Sequence, residues 1–176
     1  PLEERMGYKF RNGLLLAEAL THPSISLERR DYPFDNQRLE FLGDRVLGLV
    51  IAEKLFRLDA KHGEGQMSAR HSALVRGDTC AEAGRALGIE DFIVMGRSEL
   101  IKGMNRSLTV IGDVMEALIA AIYLDGGLDA VADRIAQAIA ALELRRKPIL
   151  LGNGYGGFVA LMTAILFSLP GSPVLY

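Results

Sequence analysis

A chain of 176 residues that is 49% hydrophobic and 24% charged suits one globular domain with a sizeable core. Its formal net charge of −2 excludes a nonspecific polycation, so any affinity for nucleic acid has to come from a local basic surface or from bridging cations. The single cysteine, Cys80, excludes an internal disulfide and fits a reducing cytoplasm.

The chain opens at Pro1 with no basic segment ahead of an apolar run, which speaks against a signal peptide and suggests that leading residues are missing. Gly7 and the run Gly13–Leu20 predict a short helix, a turn and a second helix ending near Thr21-His22-Pro23. Ser24–Phe34, with its charge cluster and Pro33, reads as a loop. Asp35 or Asn36 is placed to cap a long helix reaching Leu58, because Leu39, Leu42, Val46, Leu47, Val50, Ile51 and Leu55 recur at helical spacing. His62-Gly63-Glu64-Gly65 is expected to break the chain. Ser68–Arg76 and Asp78–Leu87 predict two further helices, the second stopped by Gly88. Phe92–Lys102 is mixed, followed by an expected loop at Gly103-Met104-Asn105. Leu108–Leu124 predicts a strongly apolar helix ended by Asp125-Gly126-Gly127, and Leu128–Leu144 an Ala-rich amphipathic one. The fold class is therefore all-α. Acids and bases mix evenly up to Lys147, whereas Pro148–Tyr176 holds no Asp, Glu, Lys, Arg or His, so a domain of residues 1–147 and an apolar tail of 148–176 are expected.

Two acidic pairs stand out. Glu40 and Asp44 are four residues apart on the long helix, which puts them on one face, about 6 Å apart along its axis. Like charges so placed repel, and more strongly where the helix is buried; a cation removes that cost. Asp113 and Glu116 interrupt the apolar run Val110, Ile111, Val114, Met115, Ala117 and Leu118, where acids must face solvent, find basic partners or bind a cation. A solvated helix face remains the alternative for each pair. Four oxygen donors without a neighbouring His or Cys point to Mg²⁺ or Mn²⁺ rather than zinc, and the Glu-x-x-His pairs of a di-iron bundle are missing.

The run Asn36-Gln37-Arg38-Leu39-Glu40-Phe41-Leu42-Gly43-Asp44 resembles the signature of the ribonuclease III family. Leu20-Thr21-His22-Pro23-Ser24, Glu64-Gly65 and Thr109–Ala117, running on through Ile122–Gly127, resemble further family segments in the same order. The resemblance spans residues 2–145 and implies the all-helical endonuclease domain of that family, working as a homodimer. It implies Glu40, Asp44, Asp113 and Glu116 around Mg²⁺, with Mn²⁺ substituting, and Asp44 and Glu116 as the least replaceable catalytic groups. The implied reaction is metal-dependent hydrolysis of double-stranded RNA, leaving 5′-phosphate and 3′-hydroxyl ends. A catalytically weak or silent RNA-binding or dimerisation module of the same fold is the alternative. A hydrolase of another phosphate substrate lacks a phosphate-cradling glycine loop.

By the same resemblance Phe41 packs into a partner subunit, though a core phenylalanine is an equal reading, and Glu64 lies near RNA or the dimer interface. Gln37 stands where the family usually has Glu, and Arg45 where it has a small residue; Arg45 is expected to reach solvent. His22 reads as a satisfied structural histidine, Cys80 as a small buried residue, and Arg97, Lys102 and Arg106 as scattered surface bases. The tail does not resemble the double-stranded RNA-binding domain of bacterial members, so weak, salt-sensitive binding is expected. Leu150–Phe158 resembles an α/β-hydrolase nucleophile elbow with Gly154 in place of the nucleophile, and Leu166–Tyr176 resembles a late segment of α-amylase-like barrels. Phe158–Leu169 is apolar over 12 residues, short of the roughly 20 that span a bilayer, so a packed helix ranks first, an artificial terminus second and a membrane anchor last.

Overall fold

The computed structural model describes residues 1–25, 34–58 and 63–145, with the backbone alone for 136–145. The regular elements among the described residues are all helical: α1 (Leu2–Met6), α2 (Gly13–Ala19), α3 (Gln37–Leu58), α4 (Glu64–Leu74), α5 (Gly77–Leu87), α6 (Arg97–Ile101) and α7 (Leu108–Arg145). Two 3₁₀ turns, Ile89–Asp91 and Met104–Arg106, complete them. The all-α reading holds. The expected loop over Ser24–Phe34 falls mostly outside the described residues, as do the segment around His62, the boundary at 147/148 and the whole apolar tail. No helix among the described residues is long and apolar enough to cross a membrane.

The long helix starts where its capping residues predict: the Asp35 carboxylate accepts the Gln37 amide at 3.1 Å. Gly88, at φ 67°, ends α5 as expected. Two expectations need correction. Glu64 and Gly65 do not break the chain but form the first turn of α4, with Gly63 at its N-cap; a glycine costs little at a frayed, exposed helix end. The expected loop at Gly103–Asn105 tightens into the second 3₁₀ turn, entered through Gly103 at φ 73°. The expected stop at Asp125-Gly126-Gly127 is where the two helical stretches of α7 meet: Gly127, at φ 83° and ψ −177°, leaves helical geometry in a conformation that suits glycine, and the second helix follows at once.

Asp125 is a clamp at that turn. Its carboxylate accepts the Tyr8 hydroxyl at 2.8 Å and the amides of Arg11 and Asn12 at 3.0 and 2.9 Å, tying α7 to the entry of α2. The Arg11 amide is the main reason the Asp125 carboxyl sits below the ordinary aspartate range.

The core forms where α7 packs against α3 and α5. Ile111, Val114, Ala117, Leu118, Ala120 and Ala121 of α7 are all but inaccessible, against Leu39, Val46, Val50 and Leu55 of α3 and Ala81 of α5. Glycines set both crossings. A Cβ added at Gly43 would overlap the backbone carbonyl of Glu116, and one at Gly84 would stand 2.5 Å from the Ile111 Cγ2. Helix α3 therefore comes into backbone contact with α7 where Gly43 meets Glu116.

Candidate active site

The Gly43–Glu116 contact decides the geometry of the acids. Asp44 follows Gly43 directly, Glu40 lies one turn earlier on α3, and Asp113 lies one turn before Glu116 on α7. All four carboxylates are half-buried. Burial pushes the Glu116 carboxyl up to about 7, reinforced in turn by Asp44, Asp113 and Glu40 and opposed by Arg45. Burial also raises Glu40, followed by the charges of Asp113 and Asp44. It raises Asp113 too, against a lowering influence from His22. The four groups are thus one electrostatic unit of like charge.

The donor set suits a hard cation. Four carboxylates offer only oxygen, and the one nearby sulfur is not a ligand: burial, followed by Glu116 and Asp44, pushes the Cys80 thiol up to about 12, so it stays protonated. Among the described residues, however, no group of three or more His, Cys, Asp or Glu side chains is already arranged to grip an ion. Asp44 is turned into an ion pair with Arg45. The Arg45 guanidinium also stacks over the Phe41 ring, 4.3 Å from its centroid. Arg45 therefore does more than reach solvent: it caps one corner of the cluster.

The remaining expected residues lie apart. Gln37 is exposed in the first turn of α3 and Glu64 in the first turn of α4, and Glu64 is not among the charges that shift the Glu40, Asp113 and Glu116 carboxyls. Phe41 is 66% exposed, so the core reading of it is wrong; with Leu49 and Phe56 it forms an apolar row along the outer side of α3. His22 is satisfied, as expected: its Nδ1 accepts the Ser24 amide at 3.1 Å and lies 2.9 Å from the Ser24 hydroxyl oxygen, which itself accepts the Gly96 amide. Lys102 pairs with Glu99 at 2.8 Å, and Arg106 accepts a bond from Arg85 through its carbonyl.

Two features escape a reading of spacing alone. Gly43 is one, and its signal is a glycine inside a helix between two acids, where helix propensity disfavours it. The other is a cavity of about 330 Å³ beside Asp113, bordered by Arg76, Asp78, Leu108, Thr109 and Gly112. It draws residues from two helices and left no mark in the local pattern.

A family model described as ribonuclease-III-like matches residues 12–142. The ribonuclease 3 of Ruegeria pomeroyi is 52% identical over 128 residues, covering 73% of this chain and 56% of that protein. That of Dinoroseobacter shibae is 51% identical over 127 residues, covering 72% and 54%. The chain spans about half the length of the curated relatives it matches. Among solved structures, the nuclease domain of ribonuclease III from Campylobacter jejuni superposes with a TM-score of 0.72 at 36% identity, over 84% of this chain and 95% of that one. A second structure of that domain, described for flexibility in a region involved in dimer formation, gives the same TM-score and identity over 78% and 92%.

Proposed function

The chain belongs to the ribonuclease III family, and from that premise we propose that it is a metal-dependent endoribonuclease that hydrolyses double-stranded RNA. The observation that carries this reading is the like-charged cluster of Glu40, Asp44, Asp113 and Glu116, held half-buried by a backbone contact between two core helices. Such a cluster is electrostatically unfavourable on its own and calls for a divalent cation. Mg²⁺, or Mn²⁺ in its place, would lower the pKa of a bound water for in-line attack and neutralise charge on the scissile phosphate and leaving oxygen.

The protein's own groups do the rest. Asp44 and Glu116 act as the catalytic pair: Asp44 follows the Gly43 that touches the Glu116 backbone, and its charge acts more strongly on the Glu116 carboxyl than those of the other two acids. Glu40 and Asp113 complete the ligand set one turn away on either helix. Ionised carboxylates would be needed as ligands, so Glu116, whose carboxyl is raised, would hold the cation in its deprotonated form. Asp44, now paired with Arg45, would exchange that partner for the cation. The products carry 5′-phosphate and 3′-hydroxyl ends.

The apolar row of Phe41, Leu49 and Phe56 supports a homodimer, in which two clusters would each cut one strand. Gln37 and Glu64, at exposed helix starts, are assigned to the RNA or dimer surface. The nuclease unit is assigned to residues 1–147 and the protein to the cytoplasm. A catalytically weak or silent module is the second reading, favoured by the Arg45–Asp44 ion pair that occupies a metal ligand. End-labelled double-stranded RNA, single-stranded RNA, double-stranded DNA and nucleoside triphosphates, each with Mg²⁺, Mn²⁺ or EDTA, separate these readings. Cleavage confined to double-stranded RNA with metal supports the endonuclease; binding without cleavage selects the silent module.

A further inference from the structure

The cavity beside Asp113 continues the carboxylate cluster in one direction. Its wall runs from Asp113 and Gly112 through Thr109 to Arg76 and Asp78. The start of α5 reaches this place by a second close approach: a Cβ added at Gly112 would stand 3.1 Å from the Gly77 carbonyl oxygen. Gly112 precedes Asp113 and Gly77 follows Arg76, so that approach brings the N-cap of α5 and the acid-bearing turn of α7 to the same cavity.

Among the described residues, Arg76 is the one basic group bordering the cavity. Its partner, the Asp78 carboxylate, is 3.4 Å away, longer than a good charge-assisted hydrogen bond, and the two side chains are 68% and 71% exposed. An exposed pair of that length holds its members weakly. A phosphate offers the planar guanidinium a better, two-pronged partner. Free phosphate is a poor candidate, because Asp78 and Asp113 outweigh Arg76 in charge. A phosphate delivered by a strand already anchored at the cluster escapes that objection. A cavity of about 330 Å³ lies at the small end of ligand sites and has room for one sugar–phosphate unit.

We propose that this cavity is the subsite for the nucleotide next to the scissile phosphate, with Arg76 binding that nucleotide's phosphate and Asp78 holding Arg76 until RNA arrives. The assignment rests on the endoribonuclease reading of the cluster. It accounts for an arginine and an aspartate that pair too loosely to matter for stability.

The test pairs Arg76 variants with RNA duplexes carrying one uncharged methylphosphonate at a phosphate flanking the cleavage site. Arg76→Ala lowers kcat/KM on unmodified RNA roughly tenfold, the scale of one lost charge-assisted bond, with an unchanged thermal midpoint. Arg76→Lys recovers part of the loss, because an ammonium keeps the charge without the fork. At one flanking position the methylphosphonate costs the wild type about as much as the Arg76→Ala change does, and costs that variant nothing more. Asp78→Asn, which frees Arg76, does not lower cleavage. Wild-type rates in Arg76→Ala, or methylphosphonate costs that simply add to it at every position, overturn the subsite while the nuclease stands. Should Arg76→Ala fail to fold, Arg76→Lys carries the same comparison. A wild-type protein that neither binds nor cleaves double-stranded RNA with metal overturns the endoribonuclease reading and the subsite together.

Discussion

Glu116 shows how one residue serves two opposing demands. Its carboxyl is raised from an ordinary 4.5 to about 7, first by burial and then by its three acidic neighbours. For an acid with a raised folded value, ionisation disfavours the fold; the penalty is absent below about pH 4.5 and complete above about pH 7. Glu116→Gln removes the charge at constant shape. In EDTA it should therefore raise stability by on the order of 1 kcal/mol at about pH 8, after allowance for its half-exposed position, and by less at about pH 5. With Mg²⁺ the same variant should lose cleavage below detection, while thermal melts show a smaller metal-induced gain than in the wild type. Arg45 sets a second expectation. Replacing it with Ser frees Asp44 from its ion pair and should lower the Mg²⁺ concentration for half-maximal cleavage several-fold, as metal titrations would show. Spacing along the sequence was enough to mark the four acids. That Arg45 folds back onto Asp44 and Phe41 was not legible, because an exposed long side chain has no periodic signature.

At the level of elements, glycines and one aspartate fix how helices meet. Gly43→Ala drives a methyl group into the Glu116 carbonyl, and neither helix backbone can yield without opening the core. A loss of about 3 kcal/mol or more is expected in denaturant unfolding, together with loss of activity, because the same contact sets Asp44 against Glu116. Asp125 predicts a pH effect of the opposite sign to that of Glu116. Its carboxyl is lowered mainly by the Arg11 amide, so its stabilising contribution is present above the unfolded value of about 3.9 and is lost as pH falls through the lower folded one. Asp125→Asn should flatten the acid limb of a stability–pH profile; an unchanged limb would show the clamp to be idle. The helices themselves were legible from apolar periodicity and caps. The helix stop at Asp125-Gly126-Gly127 was legible because glycine pairs mark turns; only the structure shows that the Tyr8, Arg11 and Asn12 partners of Asp125 make it a sharp corner.

For the whole molecule the exposed row on α3 is the informative surface. Phe41, Leu49 and Phe56 are 66%, 57% and 72% exposed, an arrangement that favours association with a like surface. Phe56→Asp should shift sedimentation from dimer to monomer at micromolar concentration while leaving the monomer folded. A wild type that sediments as a monomer removes the dimer from the proposed function. The net charge of −2 leaves RNA binding to local cations and bound metal, so affinity should fall steeply with added salt.

Composition, helical periodicity and the residue types in two short motifs determined the all-α class, the long helices and the four acids, since each of these depends on neighbours along the chain. Spacing left the two acidic pairs separate and the family resemblance implied that they join; the tertiary structure supplies the contact that brings them together. That outcome depends on a backbone contact at Gly43 and Glu116, between residues distant in sequence, and no local pattern encodes which helix will lie against which. The cavity at Arg76 and the bond from Arg45 to Asp44 follow from the same packing.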